Sequence, residues 1–289
     1  MKLTIFTPTY NRANLLFRLY QSLLKQNNYD FEWLIVDDGS TDDTQKVVEQ
    51  FYNNGKFSVK YYLKENGGKH TAHNMAIKFA QGDYFMCLDS DDWLADNAIQ
   101  LLCSVLDSIK DSMGVIAYKT DEKGRLLSDE FPNDLSEANT IDLSMKYHCT
   151  GEFTLIYPTN VLLSNPFPVF DGEKFVTECV LYDKLSKICM MRLFPEIICI
   201  CEYQDMGYSN NSNSVMKNNP AGFCLFFMQR IDLQITTFKR IIVAGKYHCF
   251  CSFSKSQRTN YSGNHKLLVT MTKPLGLLFS LYYKMFRSF

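Results

Sequence analysis

Three carboxylates fall within four residues at Asp89-Ser90-Asp91-Asp92, directly after the apolar run Phe85–Leu88. Acids so close repel one another, and burying any of them unpaired is costly, so positive charge is expected beside them. Asp89 and Asp91, flanking the small Ser90, can hold a hard divalent cation and leave coordination positions open for phosphate oxygens. The competing reading gives Asp91 or Asp92 to the start of the following helix, where acids are favoured. A second acidic pair, Asp37-Asp38, runs into Gly39-Ser40-Thr41, which also makes a good turn and helix cap. His70, next to Lys69, can touch phosphate, whereas His73 reads as a capping or packing residue. Trp93, beside the acids, is either a wall of a site or core.

The elements that would position these groups alternate over the first 120 residues. Strands are predicted at Lys2–Thr7, Phe31–Val36, Lys56–Leu63, Asp83–Leu88 and Gly114–Tyr118. Helices are predicted at Ala13–Leu24, Thr44–Phe51, Thr71–Ala80 and Asn97–Ile109. Strand–helix repetition with short loops predicts an α/β fold with a mostly parallel, doubly wound sheet. Ligands of such sheets bind beyond the carboxyl ends of the strands. Both acidic clusters, and the loops "TPTYNR" and "ENGGKH", fall at those ends. Past residue 120 the pattern weakens. Asp121–Leu127 reads as a hairpin, Ser136–Cys149 as a polar flexible loop, Phe175–Lys187 as a helix, Met191–Glu202 as a strand and Gln204–Ser214 as a loop. Helices are expected from Pro220 onward.

Composition narrows the classes. With 46% hydrophobic and 21% charged residues the chain can bury a core, and its net charge of −1 argues against a general nucleic-acid binder. No G-x-G-x-x-G follows a strand, which disfavours a dinucleotide oxidoreductase. Ten cysteines lack zinc spacing and read as reduced core residues of a cytoplasmic protein; Cys199/Cys201 and Cys249/Cys251 are C-x-C pairs, a spacing that on a strand would put both thiols on one face. "MKLTIFTPTYNR" does not read as a secretory signal, and no run approaches the ~20 apolar residues a membrane span needs.

Four motifs in order, "TPTYNR", "VDDGSTD", "ENGGKHTAHNMAI" and "LDSDDWL", together resemble the family 2 nucleotide-sugar glycosyltransferases of GT-A fold that build bacterial surface polysaccharides. The resemblance is tight over residues 1–120 and loose through "FDGEKFVTE" and "EYQDMGYS" to "KNNPAGF". It implies a Rossmann-like GT-A domain over 1–220, with a nucleotide-sugar half (1–120) and an acceptor and catalytic half (121–220), and a helical extension over 221–289. Thr7, Pro8 and Tyr10 would cradle the nucleobase, with the charge of Arg12 nearby. Asp38 would accept the imide N–H of uracil or a similar base. Asn66 and Lys69 would sit near ribose or pyrophosphate. Asp89, with Ser90 beside it, would bond ribose or sugar hydroxyls, and Asp91 would bind the Mg2+ or Mn2+ that bridges the diphosphate. Glu178 would be the catalytic base. The family often follows this glutamate with an aspartate, but Cys179 stands here, and Asp183 is the substitute candidate.

The reading is therefore a cytoplasmic, metal-dependent, inverting transferase that moves a sugar from a UDP-type donor to a glycan or lipid-linked acceptor. A silent nucleotide-sugar or glycan binder stays open because of Cys179. A sugar-nucleotide nucleotidyltransferase is also open, although "TPTYNR" lacks the glycine-rich loop such enzymes need. The segment His265–Phe289 mixes apolar and aromatic residues with Lys266, Lys273, Lys284 and Arg287. It reads either as an amphipathic helix on the cytoplasmic face of an anionic membrane or as a helix packed on the protein or in a dimer.

Overall fold

The structure is a computed structural model that describes residues 1–53, 55–202, 212–234, 236–254, 257 and 259–286. The first part of the loop expected at Gln204–Ser214, and Arg287, lie outside the described residues; from Ser212 the chain is helical. The elements are β1 (Leu3–Thr9), α1 (Ala13–Leu24), β2 (Phe31–Asp37), α2 (Thr44–Glu49), β3 (Ser58–Leu63), α3 (Lys69–Phe79), β4 (Tyr84–Cys87), β5 (Trp93–Leu94), α4 (Ala98–Ser108) and β6 (Gly114–Asp121). Then come β7 (Glu137–Ala138), α5 (Thr140–Met145), β8 (Phe153–Pro158), α6 (Thr159–Leu163), α7 (Cys179–Leu185) and β9 (Met191–Cys201). The chain closes with α8 (Ser212–Asn218), α9 (Pro220–Leu233), α10 (Thr237–Phe253), α11 (Lys266–Met271) and α12 (Lys273–Phe286).

Two compact units result: Met1–Pro166 with Lys184–Gln204, and Phe167–Asp183 with Asp205–Phe289. The division differs from the boundary expected at residue 220, because residues 167–183 go with the C-terminal helices. In the first unit one sheet runs β3-β2-β1-β4-β8-β6-β9-β5, with β7 on β9. The four strands β3, β2, β1 and β4 are parallel, as the alternation predicts. Beyond them the sheet is mixed: β8, not anticipated from sequence, runs antiparallel to both β4 and β6. Nearly every side chain of β1 and β2 is buried on both faces, which explains their unbroken apolar runs. The order reverses at β1: the chain moves out through β2 and β3, then returns to place β4 on the other side of β1. That reversal opens a crevice at the carboxyl ends of β1 and β4.

Several sequence expectations are corrected. The stretch 136–149 is not an irregular loop; it carries β7 and α5, with Asn139 Oδ1 capping α5 by accepting the Asp142 N–H at 2.8 Å. The helix expected from Phe175 begins only at Cys179. The Lys174 and Phe175 N–H groups are already donated to Asn219 Oδ1, at 2.8 and 2.9 Å. Cys249 and Cys251 lie on α10, one of the helices expected after Pro220, so their side chains diverge, and the expectation that every cysteine is reduced is the one corrected there. Cys251 is joined to Cys224 of α9 by a disulfide with a Cα–Cα distance of 5.3 Å, and eight cysteines are free.

The second unit is built on α9, α10, α11 and α12 around Phe227, Ile231, Tyr247 and Phe250. Helices α10 and α12 cross at glycines: a Cβ on Gly276 would collide with His248, and one on Gly245 would press on Leu275 at 2.8 Å. Buried Glu173 caps α9, its two oxygens accepting the N–H groups of Ala221 at 2.6 Å and Gly222 at 2.8 Å. Thus "FDGEKF" and "NNPAGF", far apart in the chain, form one cap: Glu173 holds the start of α9 while Asn219 holds residues 174 and 175. Burial raises the Glu173 pKa against the lowering pull of those two N–H groups. Glu173→Ala would leave two buried N–H groups unsatisfied and is expected to cost about 2–6 kcal/mol, at about 1–3 kcal/mol per group. Chemical denaturation monitored by circular dichroism measures it; a loss below about 1 kcal/mol would mean the cap is dispensable.

Candidate active site

The acids after β4 diverge rather than share one ligand, each meeting a cation from a different element. Asp89 is gripped by Lys69, the first residue of α3, with Nζ 2.6 Å from Oδ1 and 2.8 Å from Oδ2. Asp91 Oδ2 lies 3.0 Å from Nη1 of Arg12 in the loop after β1, and the same nitrogen donates to Ser90 Oγ at 3.2 Å. Asp92 turns inward toward Lys119 of β6, 3.7 Å away, and accepts from Cys201 Sγ at 3.2 Å. The charge expected beside the cluster is therefore supplied in part by three residues remote in sequence.

It is supplied unevenly. For Asp89, burial works to raise the pKa, but Lys69, Lys119 and Arg12 outweigh it and hold the carboxyl below the ordinary range. For Asp91, burial prevails over Arg12, with Asp89 adding repulsion, and the pKa is raised. Asp92 is pushed up to about 6, by burial first and by its acidic neighbours, against the pull of Lys119. Burial works against the charge of Lys119, yet the sulfurs of Cys199 and Cys201 and the carboxylates of Asp92 and Asp89 raise its pKa. Two of the three acids thus carry their charge at a cost, and the cluster is short of positive charge.

Asp92, Cys199 and Cys201 offer ligand atoms within 4.8 Å of one another. Lys119 already stands beside that buried trio, so it carries its own cation. Asp89 and Asp91 are hard oxygen donors on one edge of the sheet, and the under-compensated charge of Asp91 fits a divalent ion of the Mg2+ or Mn2+ kind.

The acid after β2 is held from the other side. Asp38 is buried and accepts three donors: Lys64 Nζ at 2.6 Å and Gly67 N–H at 2.9 Å on Oδ1, and Gly68 N–H at 2.7 Å on Oδ2. Asn66 Nδ2 donates to the Asp38 carbonyl at 2.8 Å. Gly68, at φ 90°, turns the chain so that Lys69 starts α3 facing Asp89. An unbroken path therefore runs Asp38–Gly68–Lys69–Asp89–Ser90–Arg12–Asp91 along one edge of the sheet. The loop after β1 is tied to the loop after β2 as well: Asn11, in left-handed conformation at φ 51°, accepts from the Thr41 N–H at 2.7 Å.

The remaining sequence candidates fall in distinct settings. Thr7 is buried, its hydroxyl accepting the Trp33 indole N–H at 2.9 Å, so its side chain serves the core. Pro8 is half-buried and Tyr10 is 49% exposed. His73 packs edge-on against Phe6 and Phe85, and burial lowers the pKa of His73 to about 3 and of His70 to about 4, which keeps both neutral. Trp93 carries the guanidinium of Arg18 4.0 Å above its ring, and Arg18 also donates to the Asp91 carbonyl at 2.8 Å.

Glu178 and Asp183 belong to the second unit. Glu178 is exposed at the start of α7. Asp183 is buried, with both oxygens taken by Arg230 of α9 at 2.5 and 2.9 Å. Sequence reasoning missed Lys64, Lys119, Arg18 and Glu173. Each acts on a partner at least 26 positions away, and the one local signal was a cation directly after the apolar run Gly114–Tyr118 of β6, Lys119.

Comparison with known proteins adds the following. Residues 4–157 match the model of a family described as glycosyl transferase family 2. A chondroitin synthase of Pasteurella multocida is 29% identical over 215 residues, covering 73% of this chain and 21% of that protein. The chain thus spans about a fifth of the length of the first curated relatives it matches. Among solved structures, TarS residues 1–349 of S. aureus in complex with UDP-GlcNAc shares the fold with a TM-score of 0.65 at 19% identity, covering 98% of this chain and 92% of that one. A mannosyltransferase of Pyrobaculum calidifontis in complex with GDP-Man and Mn2+ gives 0.55 at 16% identity, covering 99% and 83%.

Proposed function

The chain belongs to glycosyl transferase family 2, and on that premise we propose that it is an inverting, metal-dependent transferase moving a sugar from a UDP-sugar to a glycan or lipid-linked acceptor in surface-polysaccharide synthesis. One observation carries the reading: the path from Asp38 through Lys69 to Asp91 lines the crevice where the strand order reverses. A carboxylate has about four acceptor positions. Three of those on Asp38 are taken, which leaves one for the imide N–H of uracil. Tyr10 offers a stacking face, Lys69 and Asn66 a ribose or pyrophosphate contact, and Asp89 with Ser90 a hydroxyl contact.

Asp91, with Asp89 beside it, would hold Mg2+ or Mn2+, which supplies charge neutralisation for the departing diphosphate. Glu178 accepts the proton of the acceptor hydroxyl as that oxygen bonds to the anomeric carbon. The bond from that carbon to the phosphate oxygen breaks, and its electron pair leaves with UDP. Cys179, in place of the family's second acid, favours one other reading, a silent binder of the same donors.

A thermal-shift series with UDP, GDP and dTDP, each with and without Mn2+, tests the donor site. Stabilisation follows RT ln(1 + [L]/Kd), about 2.7 kcal/mol at a hundredfold excess over Kd. UDP with Mn2+ is expected to raise Tm the most. No shift with any nucleotide would overturn the site, and an equal shift without Mn2+ would overturn the metal. Saturable UDP binding with no donor turnover would make the chain the silent binder.

A further inference from the structure

Helix α12 carries apolar side chains on the face it packs against its unit and on the face it leaves to solvent. Gly276 and Ser280 face α10, Ser280 Oγ lying 3.1 Å from Ser252 Oγ, and only Leu275, Phe279 and Tyr283 are half-buried there. The apolar stripe points outward. Leu277, Leu278, Leu281 and Met285 repeat at helical spacing and are 56–72% exposed. Leu267 and Met271 of α11, 76% and 73% exposed, add to it. A helix normally buries such a stripe, and contiguous exposed apolar surface marks a docking face.

The charge around the stripe says what docks. Residues 233–289 contain nine Lys and Arg and no Asp or Glu, so the other 232 residues carry a net −10. Lys266, Lys273 and Lys284 are exposed on α11 and α12, and none forms an ion pair among the described residues. A second copy of this face would bring like charges together. A soluble polyanion would have no use for the leucines. An anionic bilayer surface satisfies both: its acyl boundary takes the stripe and its headgroups take the lysines. No helix among the described residues is long and apolar enough to cross a membrane. We infer that α11 and α12 lie in the interface of an anionic membrane, with Leu277, Leu278, Leu281 and Met285 inserted and Lys266, Lys273 and Lys284 on the headgroups.

Co-sedimentation of the full chain with vesicles of phosphatidylglycerol and phosphatidylcholine, against phosphatidylcholine alone, tests this. Wild type is expected to bind the anionic vesicles at least about tenfold more tightly, less so in high salt. The Leu278→Asp/Leu281→Asp variant should lose at least about tenfold in affinity, the worth of one leucine leaving an apolar phase. The Lys273→Ala/Lys284→Ala variant should lose about fivefold per charge. Both should keep the wild-type Tm, since all four side chains face solvent; Leu278→Ser/Leu281→Ser replaces the first variant if it fails to fold. Equal binding by the leucine variants, or binding indifferent to phosphatidylglycerol, overturns the inference. So does a leucine variant that dissociates an oligomer while binding vesicles as before.

Discussion

Asp91→Asn is expected to lower sugar transfer at least about a thousandfold while Tm, measured without added metal, stays the same or rises. The two halves of that result have one cause. Burial and the neighbouring Asp89 raise the Asp91 pKa although Arg12 lies 3.0 Å away. An acid whose folded pKa lies above its unfolded value stabilises the fold only at low pH. That contribution is lost as pH rises through the folded pKa, so at neutral pH the fold bears the cost of the charge. Asparagine removes the charge, keeps an oxygen for Arg12, and relieves the fold. It also removes the charge that the donor complex needs, where preorganised electrostatics dominate the barrier. Steady-state donor turnover with Mn2+ and differential scanning calorimetry read the two effects. Turnover within tenfold of wild type in Asp91→Asn would remove Asp91 from the metal role.

The strand ends were legible because burial on both faces leaves a plain signature: "FEWLIV" and "YFMCL" run largely apolar without alternation, and acids follow both. That was enough to put Asp38 and Asp91 on one edge. The pairings of the acidic clusters were not legible. Arg12 and Lys69 entered as site residues only through the motif resemblance, and Lys64 and Lys119 were missed, because each is an ordinary surface-type residue that only the register of the sheet brings to a carboxylate. The antiparallel β8 escaped notice for a related reason. Its six residues lie between α5 and α6, helices of six and five residues too short to show a helical period, and their pairing is with strands about 40 and 70 positions earlier. The stretch 174–178 reads as helix by spacing alone, but its N–H groups are claimed by Asn219, and a tertiary hydrogen bond overrides local propensity.

The two candidate bases should separate cleanly by substitution, since their surroundings ask different things of them. Asp183 is buried and forked onto Arg230, whose guanidinium also lies 5.2 Å over the Phe226 ring. Asp183→Asn would leave that guanidinium without its counter-charge, and breaking one side of such a pair costs about 3–5 kcal/mol. Tm should fall by several degrees, while the molecules that remain folded turn over at a rate close to wild type. Glu178 is exposed, so Glu178→Gln should leave Tm unchanged and lower turnover by about 10^2 to 10^4, the range a positioned general base contributes. The loss should fall on kcat rather than on UDP affinity, because the proton moves only in the transfer step. If instead Asp183→Asn abolishes turnover at full stability and Glu178→Gln does nothing, the base is Asp183 and the Arg230 fork opens during catalysis. If both variants keep wild-type turnover, neither carboxylate takes the proton, and the base is another group.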